Sequence, residues 1–111
     1  MRIAVPTAGG KLCMHFGHCE TFAIVDVDDN RRITAERQAE PPPHEPGVLP
    51  RWLHSEGVTV VIAGGMGMRA QQLFQQAGIE VVVGAPAEPA KTVVQAWLKG
   101  TLKQGDNLCD H

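Results

Sequence analysis

This chain of 111 residues lacks the features that would indicate a membrane-spanning protein, a disulfide-rich protein or a strongly basic protein that binds nucleic acid. No apolar run approaches the roughly 20 residues of a membrane-spanning helix. Three cysteines, an odd number, argue against a disulfide framework and for thiols that stay reduced. The formal net charge of −2 gives no overall attraction to nucleic acid or to an anionic membrane. We therefore expect a cytoplasmic protein with neither of these partners.

Motifs of common enzyme classes are absent as well. The sequence has no G-x-G-x-x-G fingerprint and no Walker lysine. No Ser/His/Asp arrangement and no glycosidase-like carboxylate pair can be assigned. The composition, with 43% apolar and 20% charged residues, is that of an ordinary globular protein. We expect a single domain over residues 1–111, and the sequence does not set its oligomeric state.

Apolar periodicity and turn residues predict an α/β protein. Residues 58–63 (VTVVIA) are apolar on both faces, which is typical of a central strand. Pro6 ends the first apolar run, and a turn at residues 28–30 separates the second and third strands. The predicted strands are residues 2–5, 21–28, 31–37, 58–63 and 79–83, and the predicted helices are residues 48–56, 68–77 and 89–99.

This order predicts a mixed, five-stranded sheet with helices on its faces. A right-handed crossover would set residues 58–63 parallel to and beside residues 2–5. Open α/β sheets bind ligands beyond the carboxyl ends of their strands. The loops that follow these two strands would then share one crevice.

Metal-binding side chains are concentrated in residues 11–21 (KLCMHFGHCET). Cys13, His15, His18 and Cys19 fall within this stretch, and thiolate and imidazole are ligands of soft and borderline metals. We interpret the loop as a metal or metal–sulfur cluster site. In one alternative, Cys13 packs as a small apolar residue and the histidines cap turns. In another, Cys13 and Cys19 form a disulfide.

The tail carries two further candidate ligands, Cys109 and His111. The roughly ten residues after Gly100 span ~33 Å when extended, which is more than the ~17 Å length of a typical strand. The tail is therefore long enough to return to the crevice. The alternative is a loose chain end.

The turn GGMGMR is predicted to form a wall of the same crevice. Its glycines allow close backbone approach, and the following helix offers unpaired N–H groups at its positive end. Arg69 opposes the helix dipole there, a cost that an anionic ligand would offset. The alternative is a tight turn with an exposed arginine. The residues predicted to face an anionic cluster are Lys11, Gly64, Gly65, Met66, Gly67, Met68 and Arg69.

Three segments of the chain form a recognisable combination: HFGHCETFAIVD, GGMGMRAQQLF and the terminal Cys-x-His. Together they resemble the dinitrogenase iron–molybdenum cofactor biosynthesis family, which includes the cofactor carriers NifX and NafY. The resemblance implies a three-layer α/β/α, ribonuclease H-like fold and a carrier rather than an enzyme. It also implies that His15, in the HFG motif, is a ligand.

From the residues and the resemblance together, we expect a NifX-like carrier of a metal–sulfur cluster that contains iron, molybdenum or copper. A donor or acceptor metalloprotein would be its partner. Two alternatives stay open: a sensor or chaperone for a single zinc, copper or iron ion, and a thiol redox enzyme that uses Cys13 and Cys19. The candidate metal ligands are Cys13, His15, His18, Cys19, Cys109 and His111.

Overall fold

The computed structural model describes residues 1–14, 19–43, 47–102 and 105. Within these ranges the chain forms six strands and three helices. As predicted, several strands come first, and helices then alternate with single strands. The strands are β1 Arg2–Ala8, β2 Lys11–Leu12, β3 Thr21–Val27, β4 Ile33–Ala39, β5 Val60–Ile62 and β6 Glu80–Val82. The helices are α1 Val48–Ser55, α2 Met68–Gln76 and α3 Ala90–Leu98.

The sheet has the order β4-β3-β1-β5-β6, with β2 paired to β1 outside this path. β5 lies parallel to β1, with Ile3 opposite Val60, and β6 lies parallel to β5. β3 and β4 are antiparallel to their neighbours. The predicted mixed sheet is confirmed, and so is the parallel pairing of the first strand with the strand from residues 58–63.

Successive strand residues point to opposite sides of the sheet, so the apolar strands give it two apolar faces. Helices cover both of these faces. On one face, Ile3 and Val5 pack with Val93 of α3. On the other, Ala4 packs with Leu53 of α1 and Phe74 of α2. These layers confirm the three-layer, ribonuclease H-like class. Among the described helices, none is long and apolar enough to cross a membrane.

The prediction that Pro6 ends the first strand is wrong, since β1 continues to Ala8. The Pro6 carbonyl accepts a hydrogen bond from the Cys13 N–H, on the side of β1 where β5 also lies. The N–H that proline lacks would point to this same side, and the pairing of β1 with β5 covers only Ile3 and Ala4. Because no neighbouring strand needs that donor, the proline is tolerated.

Two further differences affect the sheet. β2, a strand of two residues, makes the sheet six-stranded rather than five-stranded; so short a strand has no period to detect. The turn after β3 is longer than predicted, because Asp28 Oδ1 accepts hydrogen bonds from the N–H groups of Asn30 and Arg32, each at 2.9 Å. The third predicted strand therefore begins at Ile33 rather than at residue 31.

Candidate metal centre

The Cys/His loop begins and ends at the carboxyl end of β1. The Cys13 N–H donates to the Pro6 carbonyl at 2.8 Å, and the Glu20 N–H donates to the Thr7 carbonyl at 2.9 Å. Two consecutive residues of β1 thus hold the two ends of the loop. This places Cys13 and Cys19 at the same edge of the sheet.

Cys13 and Cys19 are both half-buried thiols rather than a disulfide. Burial, the larger cause, and the negative charge of a Cys13 thiolate together raise the pKa of the Cys19 thiol to about 11. Cys19 therefore holds its proton at neutral pH, and a bound cation would have to displace it. A reactive redox cysteine needs the opposite shift, because the thiolate is the nucleophile.

Four of the six predicted ligands, His15, His18, Cys109 and His111, lie outside the described residues. Within the ranges that are described, no group of three or more His, Cys, Asp or Glu side chains is arranged to hold a metal ion. The complete ligand set therefore stays a prediction.

The turn after β5 lies against the Cys/His loop. A Cβ placed on Gly64 would lie 3.0 Å from Met14 Cα and 3.1 Å from Met14 Sδ. Gly64 is buried, and both distances are shorter than ordinary van der Waals contact, so an added side chain would have to displace Met14. The two loops are in contact, as the order of the strands predicted.

The rest of this turn presents the start of α2. Gly67, the N-cap, is extended, with φ −64° and ψ 155°, and the first turn of the helix holds no acidic residue. The first N–H groups of an α-helix have no acceptor within the helix, so this end carries a partial positive charge. Arg69 and Lys11 are exposed, and both add positive charge at their positions.

The methionines of the turn differ in exposure. Met66 is fully buried in the core formed with α1 and α2, so its thioether contributes to packing. Met68 is 57% exposed. Met14 is half-buried and packs against Gly64.

The C-terminal tail returns to this edge of the sheet. The Gly105 N–H donates to the Gly84 carbonyl at 2.6 Å, and the Gly84 N–H donates to the Gly64 carbonyl at 2.7 Å. A Cβ on Gly84 would overlap the carbonyl of Gly105, so glycine is needed for this approach. Cys109 lies no more than roughly 13 Å of extended chain beyond Gly105.

Sequence reasoning did not assign a role to Gly84 or Gly105. The available signal was a glycine directly after the last strand and a second glycine in an otherwise polar tail. Gly84 also has a φ of 82°, a conformation that glycine adopts without strain. Only the fold shows that these two glycines meet.

Comparison with known proteins identifies relatives over nearly the whole chain. An uncharacterized protein of Methanocaldococcus jannaschii, MJ0580, is 31% identical over 109 residues, which cover 94% of this chain and 91% of that protein. The crystal structure of PH0822 is 30% identical, covers 95% of this chain and 96% of its own, and superimposes with a TM-score of 0.83.

The apo form of the orange protein from Desulfovibrio gigas shares the fold, with a TM-score of 0.72 and 24% identity over 96% of this chain and 93% of that protein. The family model described as dinitrogenase iron-molybdenum cofactor matches residues 1–100. This match includes the Cys/His loop, the Gly64 turn and Gly84. The chain belongs to the dinitrogenase iron-molybdenum cofactor family.

Proposed function

We propose that this chain is a non-catalytic carrier or scaffold that binds a metal–sulfide cluster at the carboxyl edge of its sheet. The cluster is the cargo, to be received from one metalloprotein and passed to another. Family membership supports a role connected with this class of cofactor. The finer assignment rests on the geometry of the edge.

The observation that carries the proposal is the convergence of three segments at that edge. The loop that bears Cys13 and Cys19 packs against Gly64, and the tail that leads to Cys109 is bonded to Gly84. Ligands from both ends of the chain would therefore reach one cargo. A scaffold of this kind suits a metal–sulfur cluster, because thiolates are the soft ligands that such clusters take.

The charge of the edge favours an anionic cargo over a bare cation. The N-terminus of α2, Arg69 and Lys11 all contribute positive charge, and the first turn of α2 holds no carboxylate. Metal–sulfide clusters commonly carry a net negative charge. The raised pKa of Cys19 argues against the thiol redox enzyme, which needs a stabilised thiolate.

Metal and acid-labile sulfide determination on protein purified without oxygen tests the proposal. We expect sulfide together with iron, molybdenum or copper. One metal ion per chain without sulfide would instead support a mononuclear sensor or chaperone. Protein without metal that cycles between a Cys13–Cys19 disulfide and two thiols would support a redox enzyme.

A further inference from the structure

A second charged feature, which we call the basic groove, lies between α3 and the turn that joins β3 to β4. It encloses about 410 Å³ and shares no residue with the candidate metal centre. The residues that carry the argument are Arg31, Arg32, Ile33, Lys91, Leu98 and Lys99.

The groove concentrates positive charge in a chain that is acidic overall. Four of the chain's ten lysines and arginines line it, although the formal net charge is −2. No carboxylate is among the lining residues. Both ion pairs found in the described part of the chain, Arg2–Asp26 and Arg37–Glu56, involve other residues. The four cations of the groove are therefore not neutralised by the described residues.

The two acidic side chains of the adjoining turn, Asp28 and Asp29, are exposed and do not line the groove. Asp28 Oδ1 accepts two backbone hydrogen bonds within its own turn. Glu36 lies farther along β4, opposite Val25, and does not line the groove. The positive charge is thus available to a ligand from outside.

Arg31 occupies the left-handed position of the β3–β4 turn, where its N–H donates to the Asp28 carbonyl at 3.1 Å. Its φ is 62°, a conformation that a non-glycine residue seldom adopts and that hairpin turns often require. Glycine at this position would relieve the backbone strain and remove the charge.

The shape of the groove distinguishes between possible ligands. Lys91 and Gln95 of α3 and Lys99, its C-cap, are spaced by four residues, so they follow one helix face over about 12 Å. Their side chains and both arginines are exposed, whereas a specific small-molecule site buries most of its ligand. A single phosphate group would fill little of this volume. Half-buried Ile33 and buried Leu98 add an apolar floor, which a phosphodiester backbone would not use.

We propose that the basic groove docks an acidic segment of a partner protein, with carboxylates along its flanks and an apolar side chain over Ile33 and Leu98. Complementary charge of this type speeds association and selects the partner. The inference does not depend on the nature of the cargo, because no candidate metal ligand takes part. Docking here would leave the carboxyl edge open for transfer.

A fluorescent peptide of sequence Glu-Glu-Glu-Leu-Leu-Glu-Glu-Glu is the probe, and anisotropy is the readout. We expect saturable binding, and roughly tenfold or more weaker binding by the double variant Arg32→Glu, Lys91→Glu at low salt. The difference should shrink as salt screens the charges. Glutamate at position 91 suits the start of α3, so the fold should be retained.

The matched control is Arg51→Glu, which makes the same charge change as the single variant Lys91→Glu but at an exposed position of α1 outside the groove. It should bind the peptide nearly as well as the parent. Arg31→Gly should weaken peptide binding while leaving the free energy of unfolding unchanged or higher, because the strain is removed. Loss of binding and loss of stability would then be separated.

Three results would overturn the proposal. The first is that the peptide fails to bind the parent. The second is that Arg51→Glu weakens peptide binding as much as the groove variant does. The third is that oligothymidylate or inorganic phosphate binds the parent more tightly than the peptide does, and that this binding is lost in the groove variant, which would indicate a nucleic-acid or phosphate site instead. A peptide with glutamine in place of glutamate should not bind.

Discussion

The two ends of the sheet are held together in different ways. At the carboxyl edge, Gly64, Gly84 and Gly105 bring main-chain segments into contact with no side chain between them. At the opposite end, Arg2 pairs with Asp26 at 2.6 Å, and a similar pair joins β4 to the end of α1. Exposed ion pairs contribute about 1 kcal/mol or less to stability. Where two main-chain segments touch, by contrast, an added side chain must push one of the segments away.

This difference indicates what each end depends on. The carboxyl edge depends on the path of the main chain and on soft ligands, so small steric changes should affect metal binding. The opposite end, with its ion pairs and the basic groove, depends on charge. Changes of charge there should alter stability slightly or weaken partner binding, and should leave the metal centre unaffected.

The largest expected effect comes from removing the ligands of the loop. We expect the triple variant Cys13→Ser, His15→Ala, Cys19→Ser to lose metal retention while circular dichroism shows a retained fold. Serine is close to cysteine in size, so the half-buried positions, including Cys19 against the core, should stay filled and the change should act on the ligand set. Metal analysis of the purified protein measures the result.

The control for the triple variant lies at the other end of the sheet. Arg2→Ala removes the pair with Asp26 and the hydrogen bond that Arg2 donates to the Glu56 carbonyl, and it should lower the free energy of unfolding slightly, with metal content unchanged. Equal metal content in the triple variant and the parent would show that the loop is not the site.

The next effect concerns the path of the tail. Gly84→Ala should weaken metal affinity roughly tenfold, the effect of losing a supporting ligand, because the added Cβ displaces Gly105 and with it the tail. Gly78→Ala is the control, since Gly78 has a similar φ of 79° but no atom within 4 Å of its added Cβ. Both variants should lose about 1–2 kcal/mol of stability from the left-handed backbone, and only Gly84→Ala should lose affinity.

Truncation tests whether Gly84 affects metal affinity through the ligands at the end of the tail. Removing residues 109–111 should reduce metal affinity by roughly tenfold as well. Adding Gly84→Ala to the truncated chain should then change metal affinity little, because the truncation and the substitution both remove the contribution of the tail's ligands. Independent, additive losses would show that Gly84 acts on the site by another route.

The pairing of the strands and the meeting of the two loops could be predicted from the sequence because each rests on a strong pattern. Residues 58–63 are apolar on both faces, and handedness leaves them one favourable place beside the first strand. The continuation through Pro6 could not be predicted, because the sequence does not show which side of a strand needs a donor. The longer turn at Asp28 depends on a side-chain hydrogen bond that periodicity does not reveal.

The basic groove shows a different limit. Arg31 and Arg32 form a visible pair, and Lys91 and Lys99 share a helix face, but nothing in the sequence brings the two together. The contact of Gly84 with Gly105 is likewise a consequence of the fold. Sequence patterns indicate elements well, whereas sites formed between distant elements need the tertiary structure.

A smaller effect is expected from the charge of the turn after β5. Arg69→Glu reverses an exposed charge and suits the start of α2, so the fold should be retained. If the cargo is anionic, this variant should bind tetrathiomolybdate less tightly, by less than about fivefold, with the gap closing at high salt. Zn²⁺ binding should be unchanged or tighter. Equal affinity of the variant and the parent for the thiometallate would favour a bare cation.

The smallest effect concerns the ionisation of Cys19 in metal-free protein. Its folded-state pKa of about 11 exceeds the ordinary value of 9.0, so the folded chain binds this proton more tightly than the unfolded chain does. The stability that follows is fully present below about pH 9 and is lost as pH rises through about 11. Urea unfolding should therefore show a steeper alkaline loss of stability in the parent than in Cys19→Ser, which has no thiol to ionise at that position.

The same pKa can be read directly from thiolate absorbance in the ultraviolet, because the chain has no tyrosine to obscure it. The difference between the titrations of the parent and Cys19→Ser should have its midpoint near pH 11. Removing the neighbouring thiol with Cys13→Ser should lower that midpoint only in part, because burial is the larger cause and the Cys13 charge the smaller. A midpoint unaffected by Cys13→Ser would mean that the two thiols are too far apart to share one metal, and the loop would then supply only one sulfur ligand.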